Sequence, residues 1–142
     1  MIDAMGGDFF CHQILEKGVS ANEAGARSIK ADGAYDVYCQ QFKKRETIDG
    51  SCADYASASA AGKELEEQKK DQAEGKKITQ PTMIIYSAGS LGKMHDVETI
   101  WPQWASGGLK QVGIGEGHGH YLPESCPEKI AELVLEWASK AQ

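Results

Sequence analysis

The sequence lacks the features that let a protein bind polyanions or enter a membrane. Its 142 residues include 15 Lys and Arg against 21 Asp and Glu, so the formal net charge is −6 and no basic excess is available for nucleic acid or anionic lipid. No apolar run approaches a membrane span, and "MIDAMGGDFF" has neither the basic nor the apolar region of a signal peptide. These absences predict a cytoplasmic protein that binds neither nucleic acid nor membrane.

Closely spaced cysteines and phosphate-binding motifs are also lacking. The four cysteines are widely spread without a C-x-x-C pair, at Cys11, Cys39, Cys52 and Cys126. This spacing favours reduced thiols over a disulfide framework. Glycines alternate from Gly113 to Gly119, but neither G-x-G-x-x-G nor G-x-x-x-x-G-K-[ST] occurs, so no cofactor is predicted.

A catalytic nucleophile is missing as well. The chain has no G-x-S-x-G elbow and no strand that leads through a Gly-flanked Asp or Cys into a helix. Any histidine base in this sequence therefore has no recognisable partner nucleophile.

The part of the chain before Pro81 consists mainly of residues with high helix propensity. Residues 35–75 contain no proline and few β-branched side chains, which predicts helices. The segment Glu64–Glu74 is so polar that we expect it on the surface. The expected helix breaks are glycines, namely Gly50, Gly62 and Gly75.

After Pro81 the pattern predicts two strands separated by a helix. Met83–Tyr86 is a short apolar run typical of a buried parallel strand, and "LKQVGI" is the second strand. Between them, Asp96 is a candidate N-cap for a short helix that Pro102 interrupts.

The last helix is predicted from a capping box and an apolar stripe. Ser125 and Glu128 have capping-box spacing, and the stripe comprises Ile130, Leu133, Val134 and Trp137. The order strand–helix–strand–loop–helix belongs to an α/β fold with a parallel sheet. Two parallel strands do not make a stable sheet, so the sequence predicts only part of such a fold.

Two histidines stand in the loop "GEGHGHYLPES", residues 115–125, after the second predicted strand. Ligands of parallel sheets gather at the carboxyl ends of strands, and histidine suits general-base work there. A solvent-exposed turn is the alternative interpretation. A third interpretation is a metal site in which His118 and His120 are joined by Glu116 or Cys126, but the sequence has no second ligand cluster.

Three segments, "ADYASAS", "IWPQWAS" and "GHYLPE", carry a resemblance to a known family. With the sequence around them from Arg45 onward, they resemble the C-terminal half of α/β-hydrolases of the haloacetate dehalogenase and epoxide hydrolase group. Residues 1–44 are similar to the earlier lid helices. The resemblance implies a partial α/β-hydrolase fold, with residues 1–78 as helical lid segment and residues 79–142 as the C-terminal part of the core.

The resemblance also implies roles for two residues. Gly119, His120 and Tyr121 match the family's glycine–histidine–aromatic motif, so His120 would be the catalytic histidine. Tyr55 matches the lid tyrosine that helps to hold the leaving halide, although a packed lid tyrosine is an equal alternative. The arginine that often follows this tyrosine is replaced by Ala56. His118 would be incidental, with little effect expected from its replacement by Ala.

The nucleophile, its partner acid and the oxyanion-hole loop would lie upstream of Met1, so the chain alone is expected to be inactive. A small-molecule substrate is expected for the longer form. The alternative is a non-catalytic chain that associates with itself through its exposed strand edge.

Overall fold

A computed structural model describes residues 2–18, 22–59, 62–115 and 117–140 of the chain. The first half is helical and contains α1 (Ile2–Met5), α2 (Gly7–Gly18), α3 (Glu23–Ala31), α4 (Ala34–Gln41), α5 (Arg45–Ser57) and α6 (Lys63–Ala73). The second half contains β1 (Thr82–Ser87), α7 (Leu91–Met94), α8 (Val97–Ile100), a 3-10 turn (Trp101–Gln103), β2 (Leu109–Ile114), α9 (Leu122–Ser125) and α10 (Pro127–Lys140). Among the described helices, none is long and apolar enough to cross a membrane.

The two strands form a parallel pair, in register from Thr82 opposite Leu109 to Ser87 opposite Ile114. The predicted α/β character is therefore confirmed, as is the position of both strands. The apolar run Met83–Tyr86 is only half-buried, however, because the sheet has two strands in the described part of the chain. A strand with apolar side chains on both faces is normally covered on both, and this one is not.

The helical half has its own apolar core. On α2 the buried residues Cys11 and Leu15 are four positions apart, so they lie on one face of the helix. The same spacing places Tyr35 and Cys39 on one face of α4. Ile29 of α3 completes this cluster and is 1% exposed. Tyr121, from the loop after β2, packs against the same cluster. This contact joins the helices to the sheet end of the molecule.

Two of the three glycines predicted to break helices lie at the ends of α6. Gly62 is the N-cap of α6, and Gly75 adopts a left-handed backbone (φ 69°) just after it, as predicted. The predicted break at Gly50 is wrong, because Gly50 lies inside α5. Its position is exposed, where a helix tolerates glycine at a cost of about 1 kcal/mol.

The capping-box prediction is also wrong. Ser125 is the last residue of α9, and α10 begins at Pro127 after Cys126. The Ile130 amide donates to the Cys126 carbonyl at 3.1 Å, which places the start of α10 one residue later than predicted. The Asp96 cap is confirmed, since its Oδ1 accepts from the Thr99 amide at 3.2 Å.

The burial of the thiols predicts their order of reaction. Burial, and next the neighbouring Cys39 thiol, raises the pKa of Cys11 from its ordinary 9.0 to about 12. At pH 8 its thiolate fraction is then about a thousandfold below that of an ordinary thiol. Cys52 is exposed. We expect timed alkylation followed by peptide mass spectrometry to label Cys52 first, and Cys11 and Cys39 only after unfolding.

Replacing Cys52 with Ser is the control, and it should remove the fast phase alone. Rapid labelling of Cys11 in the folded protein would contradict the packing of α2 against α4.

Candidate functional site

The loop that carries His120 is anchored to α2. It begins where β2 ends, and Gly117 supplies a left-handed turn at φ 77°. The His120 amide donates to the Gly18 carbonyl, the last residue of α2, at 2.7 Å. The His120 side chain is exposed. The sheet end of the chain thus presents this histidine beside the helices.

Two serines brace the same loop from other elements. Ser87, the buried last residue of β1, donates from its hydroxyl to the His118 carbonyl at 2.7 Å. His118 Nδ1 lies 3.1 Å from the hydroxyl oxygen of Ser125, which is also buried. The bond to Ser87 uses the His118 backbone carbonyl, which any residue at this position would supply, whereas the bond to Ser125 uses the side chain. That His118 is incidental to function stays a prediction.

Tyr121 occupies the junction between loop and helices. Its ring meets the His120 ring edge-on, with centroids 5.0 Å apart. It also packs on Gly18, where an added Cβ would lie 2.6 Å from the ring carbon Cε2. A side chain at position 18 would push Tyr121 away, so glycine is needed for this close approach.

A cavity of about 760 Å³ lies between the helices and this loop. Helices α2 and α5 supply most of the wall, with Tyr38 of α4. The rest comes from Ile2, Phe42, Tyr121 and Glu124. The apolar part of the wall includes Phe10, Ile14, Leu15 and Phe42. A volume of this size suits a small-molecule ligand.

One polar contact crosses the cavity wall from α4 to α9. The Tyr38 hydroxyl donates to Glu124 Oε1, and this hydrogen bond, with burial second, raises the pKa of Tyr38. The two residues are 86 positions apart in the chain. Because no local pattern connects them, sequence reasoning missed this pair.

The structure brings Tyr55 to the same cavity. Tyr55 lies in the last turn of α5, lines the wall and remains 80% exposed. Tyr121 lines the same wall, and burial, and next Tyr55, raises its pKa. His120 is not part of the wall, but its ring contacts Tyr121, which is.

The structure does not support the interpretation of His118 and His120 as metal ligands. His118 Nδ1 is engaged by Ser125, and the Cys126 thiol donates to the Leu122 carbonyl at 3.2 Å. In the described ranges, no three His, Cys, Asp or Glu side chains come together to hold an ion. Glu116, the other ligand considered, lies outside the described residues.

The chain matches no protein-family model. It is similar to the crystal structure of a "Putative Acyltransferase" from Salmonella enterica, with a TM-score of 0.79 and 19% sequence identity. The alignment covers 98% of this chain and 42% of the Salmonella chain, so this chain spans less than half the length of that protein. At this level of identity the likeness shows a shared α/β fold.

Proposed function

We propose that the chain is the C-terminal portion of an α/β-hydrolase of the haloacetate dehalogenase and epoxide hydrolase type, working in the cytoplasm. Its lid segment would be residues 1–78 and its core segment residues 79–142. The observation that carries the proposal is that Tyr55 and Tyr121 line one apolar cavity and that the His120 ring contacts Tyr121.

In this proposal the upstream part of the protein supplies an Asp carboxylate. Its oxygen attacks the substrate carbon, a C–O bond forms, and the leaving group departs with the bonding electrons, giving an enzyme ester. The Tyr55 hydroxyl donates a hydrogen bond to the leaving group as charge develops on it.

His120 acts in the second step. The imidazole takes a proton from water, and the oxygen of that water adds to the ester carbonyl carbon. The bond between the Asp carboxyl carbon and the substrate-derived oxygen then breaks. The imidazolium returns the proton to that oxygen, and the product leaves as an alcohol. The hydrogen bonds of the loop to Gly18 and Ser87 support this role, since a general base must be held in a fixed position.

The test compares two proteins: the 142-residue chain, and the same chain extended by whatever reading frame precedes Met1. Both are assayed with a haloacid, an epoxide and an aryl ester. Because the Salmonella neighbour is named for acyl transfer, the ester assay is also run with an alcohol acceptor. We expect no turnover by the short chain and turnover of one substrate class by the extended chain. Activity of the short chain alone would contradict the need for an upstream nucleophile.

The second candidate is self-association through the free edge of β1. The amides of Thr82 and Ala88 donate to carbonyls at the two ends of β2. Backbone groups alternate sides along a strand, so the amides of Met83 and Ile85 point to the opposite edge. Among the described residues no strand covers that edge, and such edges invite pairing with another chain.

Sedimentation velocity tests this candidate with a matched pair of variants. Met83→Pro removes an outward amide and should convert an oligomer to monomer, whereas Met83→Leu keeps the amide and should leave the oligomer intact. A monomeric parent chain would rule the candidate out.

A further inference from the structure

We propose that the cavity binds neutral, apolar substrates and their hydroxyl-bearing products, and that Glu124 rejects anions. This inference rests on the proposed function, because it names the classes of substrate and product that the same cavity binds. It is carried by the charge of the wall, which among its described residues includes one ionisable carboxyl group, Glu124, and no Lys, Arg or His.

The apolar wall favours a ligand whose main part is an alkyl or aromatic group. Phe10, Ile14, Leu15 and Phe42 give up contact with water when an alkyl or aromatic group enters. The volume of about 760 Å³ lies within the range of small-molecule sites and far exceeds the needs of a two-carbon acid. A chain of several carbons is therefore favoured.

The charge of the wall sets the ligand's charge. A carboxylate entering the cavity would lose water without gaining a cationic partner from the wall, and it would be repelled by the Glu124 carboxylate. Haloacids are the substrates that this arrangement disfavours. Epoxides and esters remain, since both are neutral.

The hydrogen-bonded pair of Tyr38 and Glu124 determines which polar group of the ligand the cavity can bind. The carboxylate accepts one hydrogen bond from the Tyr38 hydroxyl and retains further lone pairs. The Tyr38 oxygen can itself accept a bond. Two acceptors side by side favour a ligand that donates, and a hydroxyl is the neutral donor that hydrolysis of an epoxide or ester produces.

The experiment measures displacement of 1-aminoanthracene, a neutral fluorophore, from the 142-residue chain at pH 8. The competitors are 1-octanol and octanoate, which share one alkyl length. We expect octanol to displace the probe at a concentration lower than octanoate by about tenfold or more. Glu124→Gln removes the negative charge and should bring octanoate close to octanol. Glu128→Gln, an exposed carboxylate on α10 outside the wall, should change neither value.

Equal displacement by octanol and octanoate in the parent chain would overturn the inference. So would an unchanged octanoate value in Glu124→Gln, provided that circular dichroism shows the variant folded. Neither result bears on the hydrolase proposal, which fails instead if the extended chain turns over no substrate.

Discussion

Replacement of His120 by Gln should stop turnover of the extended protein after its first chemical step. The proposed base acts only on water in the second step, so the upstream Asp can still attack the substrate. The steady-state rate should fall by about a thousandfold or more, in line with removal of other catalytic histidines. The enzyme ester should then accumulate, because its formation continues while its hydrolysis does not.

Intact-mass spectrometry of the variant mixed with substrate measures this accumulation directly. The protein should gain the mass of the substrate group that remains after the leaving group departs. His95→Gln is the matched control, because His95 is an exposed histidine between α7 and α8, away from the cavity wall. An active His120→Gln protein, or an inactive His95→Gln protein, would contradict the assignment of His120 as the base.

Replacement of Ile29 by Ala should give a large loss of stability. Ile29 is 1% exposed and lies among Cys11, Leu15, Tyr35 and Cys39, where three helices meet. Truncating a side chain in such a place removes apolar burial and leaves a cavity, which costs about 2–5 kcal/mol in the free energy of unfolding. The helical half has few other fully buried side chains, so this change should also weaken its attachment to Tyr121.

Urea denaturation followed by circular dichroism measures the change in free energy of unfolding. Leu135→Ala is the control, because Leu135 lies on the outer face of α10 and is 70% exposed. Its replacement should change stability by no more than about 0.5 kcal/mol. Equal effects of the two substitutions would show that α2, α3 and α4 do not pack around Ile29.

The elements that sequence reasoning found were those with strong local signals. "LKQVGI" forms β2 over the same residues, and the apolar run Met83–Tyr86 lies within β1 (Thr82–Ser87). Asp96 caps α8 because an Asp three residues before a free amide is a local motif. The polar helix α6 has no buried residues, as its composition indicated.

Elsewhere, tertiary contacts overrode the local pattern. Ser125 has the spacing of a helix cap, but its hydroxyl is taken by His118, which the fold places beside it. Gly50 is a different case, because it is exposed and no tertiary contact from the described residues acts on it: α5 continues through it since one glycine costs a helix only about 1 kcal/mol.

The candidate site was only partly visible in the sequence. The position of His120 after the second strand indicated a functional loop, and the resemblance added Tyr55. The cavity itself is assembled from helices α1, α2, α4 and α5 in the first half of the chain together with α9, which lies far from them in sequence. Its polar pair, Tyr38 and Glu124, therefore left no sequence signal.

In the proposed function, His120 works with a nucleophile supplied from upstream of this sequence. The most direct test is to determine the mass of the protein made in the source cells, together with the coding sequence that precedes the Met1 codon. We expect a protein larger than 15.4 kDa, whose added segment contains an apolar strand ending in a Gly-flanked Asp or Ser. A 15.4 kDa product with a stop codon directly upstream would contradict this expectation, and the free edge of β1 would then become the feature to explain.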